Sequence, residues 1–157
     1  MSNLDKHRTV HEAYNRRDWT TLAQNFASDA EYTDHPNGVV LKGPQELVNH
    51  LKTWWVTSFS DGMIIDAEYI DAGDHVVAQF TATGINDGAL GPMPRTIRRI
   101  CAPFCEVMRF NADGQIISAH LYYDLVTILV QLDHIQAPPA VLNRTGDLLS
   151  SQPSPQR

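Results

Sequence analysis

Most of the motifs that reveal an enzyme's chemistry from sequence are missing in this chain. It contains no GxGxxG fingerprint, no phosphate-binding loop, no GxSxG nucleophile elbow and no CxxC pair. These absences argue against nucleotide-binding, serine-hydrolase and dithiol redox sites. We therefore expect the protein to act on other molecules through acids, bases and hydrogen bonds.

The chain also lacks clustered positive charge, long apolar runs and an excess of cysteine. Its 12 Lys and Arg residues are outnumbered by 18 Asp and Glu residues, so we expect no nucleic-acid partner. No run is long enough to span a membrane, and the segment MSNLDKHRTV has no apolar core of a secretory signal. Cys101 and Cys105 would lie about 13 Å apart on one strand, too far for a disulfide. We therefore expect reduced cysteines and a cytoplasmic protein without a membrane partner.

The apolar spacing predicts helices at the start of the chain and strands after them. Helices are expected over residues 3–17, from Asp18, and from Gly43-Pro44. Strands are expected at 30–34, from Met63 to a turn at 71–74, and at 75–85, 96–110 and 115–129. This order predicts an α+β fold, a cone in which a curved, mainly antiparallel sheet wraps around the helices and encloses an apolar cavity. We expect residues 1–136 to form this domain and the Pro- and Ser-rich residues 137–157 a mobile tail.

The last predicted strand, HLYYDLVTILVQL, carries a histidine and an aspartate in an apolar run. Alternation places two sets of side chains on opposite faces: Ser118, His120, Tyr122 and Asp124 on one, and Leu121, Tyr123 and Leu125 on the other. A type I turn with a glycine bulge at 111–114 pairs Phe110 with Ile116 and brings Glu106 opposite His120. A slip of one residue would move Glu106 to the other face.

In the favoured register, Glu106, His120 and Asp124 share one face with Phe104 and Tyr122. If this face lines the cavity, burial raises a carboxyl pKa and suits proton transfer near neutral pH. If it faces solvent, Glu106 and His120 form an ordinary surface pair. The spacing of these residues is compatible with both interpretations.

Five aromatic or polar positions elsewhere have both a structural and a functional interpretation. Asp34 and His35 precede a proline at a strand end, where they either stabilise the turn or serve a site. Trp54 and Trp55 cannot both face the core, so we expect one to line the pocket or an interface. Tyr14 falls on the apolar side of the first helix, where its hydroxyl needs a partner.

One histidine pair could bind a metal ion. His7 and His11 lie four residues apart on the first predicted helix, so both could face one ion. The sequence contains no HExxH motif and no evident third ligand. We therefore expect a solvent-facing pair and no metal site.

The order of three segments resembles a known family. They are AYNRRDWTTLAQNFASDAEYTDHP, FSDGMIIDAEYIDAGDHVVAQFTATG, and LGPMP followed by FCEVMRFNADGQIISAHLYYDLVTILVQL. From about His11 to Leu132 the chain resembles the SnoaL-like polyketide cyclases of the nuclear transport factor 2-like, ketosteroid isomerase-like superfamily. The resemblance implies a cone fold and an intramolecular aldol ring closure of a polyketide ester that needs no metal or cofactor.

The resemblance also implies roles for individual residues. The general acid/base of these cyclases is an aspartate on the last strand, and Asp124 occupies that position. Asp124 would deprotonate the carbon between an ester and a ketone, with His120 or His35 as its helper. The expected substrate is a small hydrophobic or polycyclic carbonyl compound. The expected substrate-binding residues are Tyr14, Asp34, Trp54, Phe104, Glu106 and Tyr122.

Other functions remain compatible with the same fold. One is a ketosteroid isomerase-like isomerase, and another is an epoxide hydrolase, which would need carboxylates that hold a water molecule. A third is a non-catalytic ligand-binding or dimerisation module, favoured if Asp124 has an ordinary pKa and faces solvent. The resemblance further implies a homodimer through the open face of the sheet, with Leu121, Tyr123 and Leu125 as apolar contacts.

Overall fold

Helices and strands follow one another along the chain much as the apolar spacing predicts. The structure is a computed structural model that describes residues 1–137, so the predicted tail lies, except for its first residue, outside the described residues. The helices are α1 (Asn3–Arg16), α2 (Trp19–Gln24), α3 (Gly43–His50) and α4 (Leu125–Gln131), with a π-helical segment (Leu51–Val56) directly after α3. The strands are β1 (Phe26–Asp34), β2 (Val39–Lys42), β3 (Met63–Ala72), β4 (His75–Ile85), β5 (Arg99–Phe110) and β6 (Ile116–Tyr123).

The six strands form one curved, unclosed sheet in the order β2-β1-β6-β5-β4-β3. Neighbouring strands are antiparallel except for β1 and β6, which are parallel. Helices α1, α2 and α3 pack on the inner face of this sheet. The predicted α+β fold is therefore confirmed. No helix within residues 1–137 is long and apolar enough to cross a membrane.

Strand β5 has one face in the protein interior and one face turned outward. Its even-numbered residues, from Ile100 to Phe110, are all buried, and its odd-numbered residues are exposed or half-buried. This strict alternation follows from the two-residue period of a strand with one face on the core. Glu106 is one of the even-numbered residues, so its carboxylate lies among apolar side chains.

The predicted register between the last two strands is wrong by one residue. The turn pairs Phe110 with Ile116 as expected, but a β-bulge follows immediately, and Arg109 pairs with Ser118. Glu106 consequently lies opposite Leu121, while His120 lies opposite Val107. Because one extra residue inverts the alternation, Leu121 faces the interior and His120 and Tyr122 face outward. The expected set of inward residues on β6 is thus reversed.

The last strand is also shorter than predicted. It ends at Tyr123, and the run that follows forms helix α4. Asp124 is the N-cap of this helix, where its carboxylate accepts hydrogen bonds from the Thr127 N–H (3.2 Å) and the Thr127 hydroxyl (2.6 Å). Aspartate is among the favoured N-cap residues because it satisfies an otherwise unpaired backbone N–H.

Candidate functional site

An apolar cavity lies between the inner face of the sheet and the helices. Its interior volume is about 80 Å³. Aromatic side chains form much of its wall, among them Tyr14, Trp55, Phe59, Phe80 and Phe104. Such a wall suits a hydrophobic or aromatic ligand.

The polar end of the cavity is a cluster around Glu106, whose side chain is 6% exposed. Its Oε2 atom lies 2.9 Å from the Nε2 atom of His7 and 2.9 Å from the Nε2 atom of His11. Its Oε1 atom accepts a hydrogen bond of 2.6 Å from the Tyr32 hydroxyl. The Nδ1 atom of His11 lies 2.9 Å from the Tyr69 hydroxyl. Three residues therefore hold one buried carboxylate, and Tyr69 holds one of the three from outside.

Glu106 is held in its ionised form. Burial alone raises its pKa, but the hydrogen bonds from His11 and His7 outweigh burial and hold the pKa well below its ordinary value. An ionised carboxylate can only accept hydrogen bonds, so the Nε2 atoms of both histidines carry protons. The Nδ1 atom of His11 then accepts from Tyr69, and burial lowers the His11 pKa, which favours the neutral ring.

Tyr14 provides a second polar group in the cavity. Burial raises the pKa of Tyr14, so the phenol stays protonated and able to donate. Within residues 1–137 its hydroxyl makes no hydrogen bond, although its ring lines the cavity. His7, His11 and Tyr14 occupy positions i, i+4 and i+7 of α1 and therefore share one face of the helix. This face and β5 together build the polar end of the site.

The expectation that Asp124 points into the cone is wrong. Asp124 caps α4, is exposed, and does not border the apolar cavity. Its hydrogen bond with the Thr127 side chain lowers its pKa, whereas a carboxyl group in an apolar cavity would have a raised pKa. These observations give Asp124 a structural role at the start of a helix.

We expect Asp124→Asn to leave the activity of the protein unchanged, because asparagine caps a helix as well as aspartate does. Asp124→Ala, which removes the cap, should lower the free energy of unfolding by about 1 kcal/mol. Urea denaturation measures the loss of stability in Asp124→Ala. The rate at which folded Asp124→Asn exchanges substrate protons with solvent measures its activity. A large loss of rate in a stably folded Asp124→Asn protein would contradict the structural role.

Three of the predicted site residues meet on the outer face of the sheet. The Nε2 atom of His35 lies 3.0 Å from the Nδ1 atom of His120, and the His35 ring stacks on Tyr122 with centroids 4.5 Å apart. His35 and Tyr122 are exposed. The bulge next to Phe110 thus places these residues on the opposite side of the sheet from the cavity.

Asp34 is buried next to the cavity wall and not in it. Its carboxylate accepts hydrogen bonds from Tyr123 (3.0 Å) and from the side chain of Asn37 (2.9 Å), and it lies 3.3 Å from the Nε2 atom of His50. It also accepts a bond from the Asn37 N–H (3.3 Å), so the turn-stabilising interpretation is confirmed. The Tyr123 ring stacks on Phe104, which lines the cavity.

The remaining predicted positions divide between the cavity and its surroundings. Tyr14, Phe104 and Glu106 line the cavity as expected. Trp55 lines it as well, whereas Trp54 packs outside it against His50 and Gly91. Gly91 has φ +56°, and a Cβ atom there would lie 2.9 Å from the Trp54 ring. The choice of Trp54 as the pocket residue is therefore wrong.

Sequence reasoning missed the partners of Glu106. The solvent-facing interpretation of His7 and His11 is wrong, since both are buried. The four-residue spacing of the histidines was visible in the sequence, but Glu106 lies 99 residues after His7. Tyr32 and Tyr69 gave no signal beyond their aromatic character.

The sequence matches the family model for the SnoaL-like polyketide cyclases over residues 5–132. A search of curated proteins finds no match.

Several solved structures share the fold. AclR, a proposed hydroxylase from Streptomyces galilaeus, is 18% identical with a TM-score of 0.76, covering 95% of this chain and 92% of its own. IdmH, a proposed polyketide cyclase from Streptomyces antibioticus, is 23% identical with a TM-score of 0.72, covering 85% and 99%. A hypothetical protein with a ketosteroid isomerase-like fold from Catenulispora acidiphila is 21% identical with a TM-score of 0.70, covering 82% and 92%. At these identities the likeness establishes the fold.

Proposed function

The chain belongs to the SnoaL-like polyketide cyclase family, and from this premise we propose that it closes a ring in a polyketide ester by an intramolecular aldol reaction, using acid/base catalysis without a cofactor. The observation that carries the proposal is Glu106, a buried residue whose carboxylate borders an apolar cavity. Proton transfer is favoured where a base and its substrate are both shielded from water.

In the proposed reaction, Glu106 is the base. A carboxylate has about four lone-pair positions, and His7, His11 and Tyr32 use three of them. The fourth is available to take a proton from the substrate. The resulting enolate attacks a second carbonyl carbon of the same molecule, and the alkoxide that forms takes the proton back from Glu106.

The low pKa of Glu106 restricts the substrate to acidic carbon atoms. Hydrogen bonds that stabilise the carboxylate also make it a weaker base. A carbon between an ester and a ketone is more acidic than one beside a single carbonyl group. The cluster therefore favours a polyketide ester over a simple ketone.

Tyr14 is the proposed donor to the developing enolate oxygen. Three residues of α-helix correspond to a rise of about 4.5 Å, so Tyr14 follows His11 by less than one turn on the same side of α1. A neutral phenol in an apolar cavity can stabilise negative charge on a carbonyl oxygen. The substrate would lie with its carbonyl oxygen at Tyr14 and its acidic carbon at Glu106.

Solvent-deuterium exchange tests the proposed reaction. The wild-type protein is incubated in D₂O with a panel of polyketide methyl esters and, separately, cyclic ketones. We expect deuterium to enter the carbon between ester and ketone, followed by formation of the cyclic product. Exchange of cyclic ketones alone would favour an isomerase instead, and no exchange with any member of the panel would overturn the proposal.

We also propose that two copies of the chain associate through the outer face of the sheet. Cross-strand pairing aligns one row of outward side chains over six strands. The row consists of Val40, Thr33, His120, Val107, Val77 and Ile70. Its two ends are the most open, since Val40 is 53% and Ile70 is 55% exposed. None of the three contacts that the resemblance implies belongs to this row: Leu121 is buried, Tyr123 stacks on Phe104, and Leu125 lies in helix α4.

Val107→Lys is expected to convert a dimer into a monomer. The substitution puts a charge at the centre of the row, where burial against a partner would strip its water. Light scattering after size-exclusion chromatography measures the mass. Ile97→Lys is the matched control, because Ile97 is 61% exposed on the loop before β5 and away from the row. A monomeric wild-type protein, or a Val107→Lys protein that remains dimeric, would contradict this interface.

A further inference from the structure

We propose that His7, His11 and Glu106 bind a divalent transition-metal ion, and that the bound ion prevents Glu106 from acting as a base. This inference goes beyond the proposed function, because it concerns a second ligand of the same cluster. One imidazole nitrogen of each histidine and one carboxylate oxygen lie within 4.8 Å of one another. Two histidines and one carboxylate are an established ligand set for zinc and for non-haem iron.

The separations of the three atoms suit a metal ion. Both Nε2 atoms lie 2.9 Å from the same oxygen, Oε2 of Glu106. In a tetrahedral zinc site with bonds of about 2.0–2.2 Å, neighbouring ligand atoms are about 3.3 Å apart. Each nitrogen–oxygen separation would therefore lengthen by about 0.4 Å when an ion binds between the three atoms. The histidines come from successive turns of one helix, and the glutamate comes from the central strand β5.

Two tyrosines already orient the ligands from outside. The Tyr32 hydroxyl holds the second oxygen of Glu106, and the Tyr69 hydroxyl contacts the Nδ1 atom of His11. Such outer contacts fix ligands in known metal sites. On metal binding, the proton of each histidine moves from Nε2 to Nδ1, and the Nδ1–H of His11 then donates to the Tyr69 oxygen. Among the described residues, the Nδ1 atom of His7 has no partner, so no existing hydrogen bond opposes this change.

The charge of the cluster also favours a cation. Within residues 1–137, no Lys or Arg side chain forms an ion pair with Glu106, and its ion-pair contacts are the two histidines. Buried charges in proteins are normally paired or bound to metal ions. A divalent ion would neutralise the carboxylate. His11 and Glu106 both border the cavity, which leaves one side of such an ion open to a water molecule or a ligand.

Zinc and cobalt titrations test the inference on protein first treated with EDTA. Calorimetry with zinc should give one ion per chain, and cobalt should give the visible absorption of a tetrahedral site. His7→Gln keeps a side-chain N–H donor but removes an imidazole ligand, so we expect zinc affinity to fall by more than about 100-fold. The double variant His35→Gln, His120→Gln removes the outer histidine pair and should bind zinc like the wild type.

The outcomes separate this inference from the proposed function. We expect zinc to suppress deuterium exchange and EDTA to restore it in the wild-type protein. The metal site would be overturned if the wild-type protein binds no zinc, or if zinc binding is lost in the outer double variant but kept in His7→Gln. In either case, deuterium exchange of the substrate in the presence of EDTA would still support the cyclase reaction. If His7→Gln is unfolded by circular dichroism, His11→Gln takes its place, and retained zinc affinity in that folded variant would likewise overturn the site.

Discussion

Glu106→Gln is expected to lower the rate of substrate deprotonation by about 100-fold to 10,000-fold, the usual contribution of a positioned general base. Glutamine has the same shape, and its carbonyl oxygen can still accept hydrogen bonds from His7 and His11. Its amide nitrogen can still contact the Tyr32 hydroxyl. The substitution therefore removes the base while keeping the packing around it. Deuterium exchange at the activated carbon of the ester measures the loss.

The matched control is Glu12→Gln, a neighbour of His11 on α1 whose carboxylate is exposed. Because Glu12 points to solvent, this variant should exchange like the wild type. Substrate binding should change little in Glu106→Gln, so that kcat falls and KM does not rise. A folded Glu106→Gln protein that retains the full exchange rate would show that another group is the base.

Much of the fold was predictable because it depends on local patterns. Strand β4, His75–Ile85, has the bounds predicted from its alternation and flanking turns. Helix α1 follows from apolar residues at helical spacing, and α3 from the Gly43-Pro44 start. In each case, the sequence pattern and the element that it specifies lie in the same short segment.

The bulge between Arg109 and Phe110 is the reason why His120 and Tyr122 were expected on the wrong face of β6. The turn residues specify that a hairpin forms, but one unpaired residue beyond the turn reverses every later side chain. Glu106 is still directed inward because β5 follows its own alternation. On β6 the same bulge places Leu121 on the inner face, where His120 was expected.

The boundary between β6 and α4 illustrates a different ambiguity. Residues 120–132 are rich in apolar and β-branched side chains, and a short run of this kind fits a strand or a buried helix. Asp124 followed three residues later by Thr127 is the local feature that starts the helix. Recognising Asp124 as an N-cap would have removed it from the strand and from the predicted active site.

Asp34→Ala is expected to lower the free energy of unfolding by about 3–5 kcal/mol, because it removes the shared acceptor of several buried hydrogen bonds. Asp34 is 0% exposed, and its carboxylate satisfies Tyr123 and Asn37 at once. Alanine would leave these donors buried without acceptors. It would also release the Tyr123 ring, which stacks on Phe104 at 4.3 Å. Urea denaturation, followed by circular dichroism, measures the change.

Two companion variants define the origin of this loss. Asp29→Ala removes an exposed carboxylate from the same strand, β1, and should change stability by less than about 0.5 kcal/mol. Tyr123→Phe removes two hydrogen bonds, the one that Tyr123 donates to Asp34 and the one that it accepts from Asn37. It keeps the stacked ring, so its effect should be about 2 kcal/mol. An Asp34→Ala protein as stable as Asp29→Ala would mean that the buried carboxylate contributes nothing to the fold. A loss of stability in Asp34→Ala well above that of Tyr123→Phe would instead assign most of the stabilisation to the Asp34 carboxylate as a shared acceptor. That carboxylate anchors the end of β1 and, through Tyr123, the Phe104 wall of the cavity.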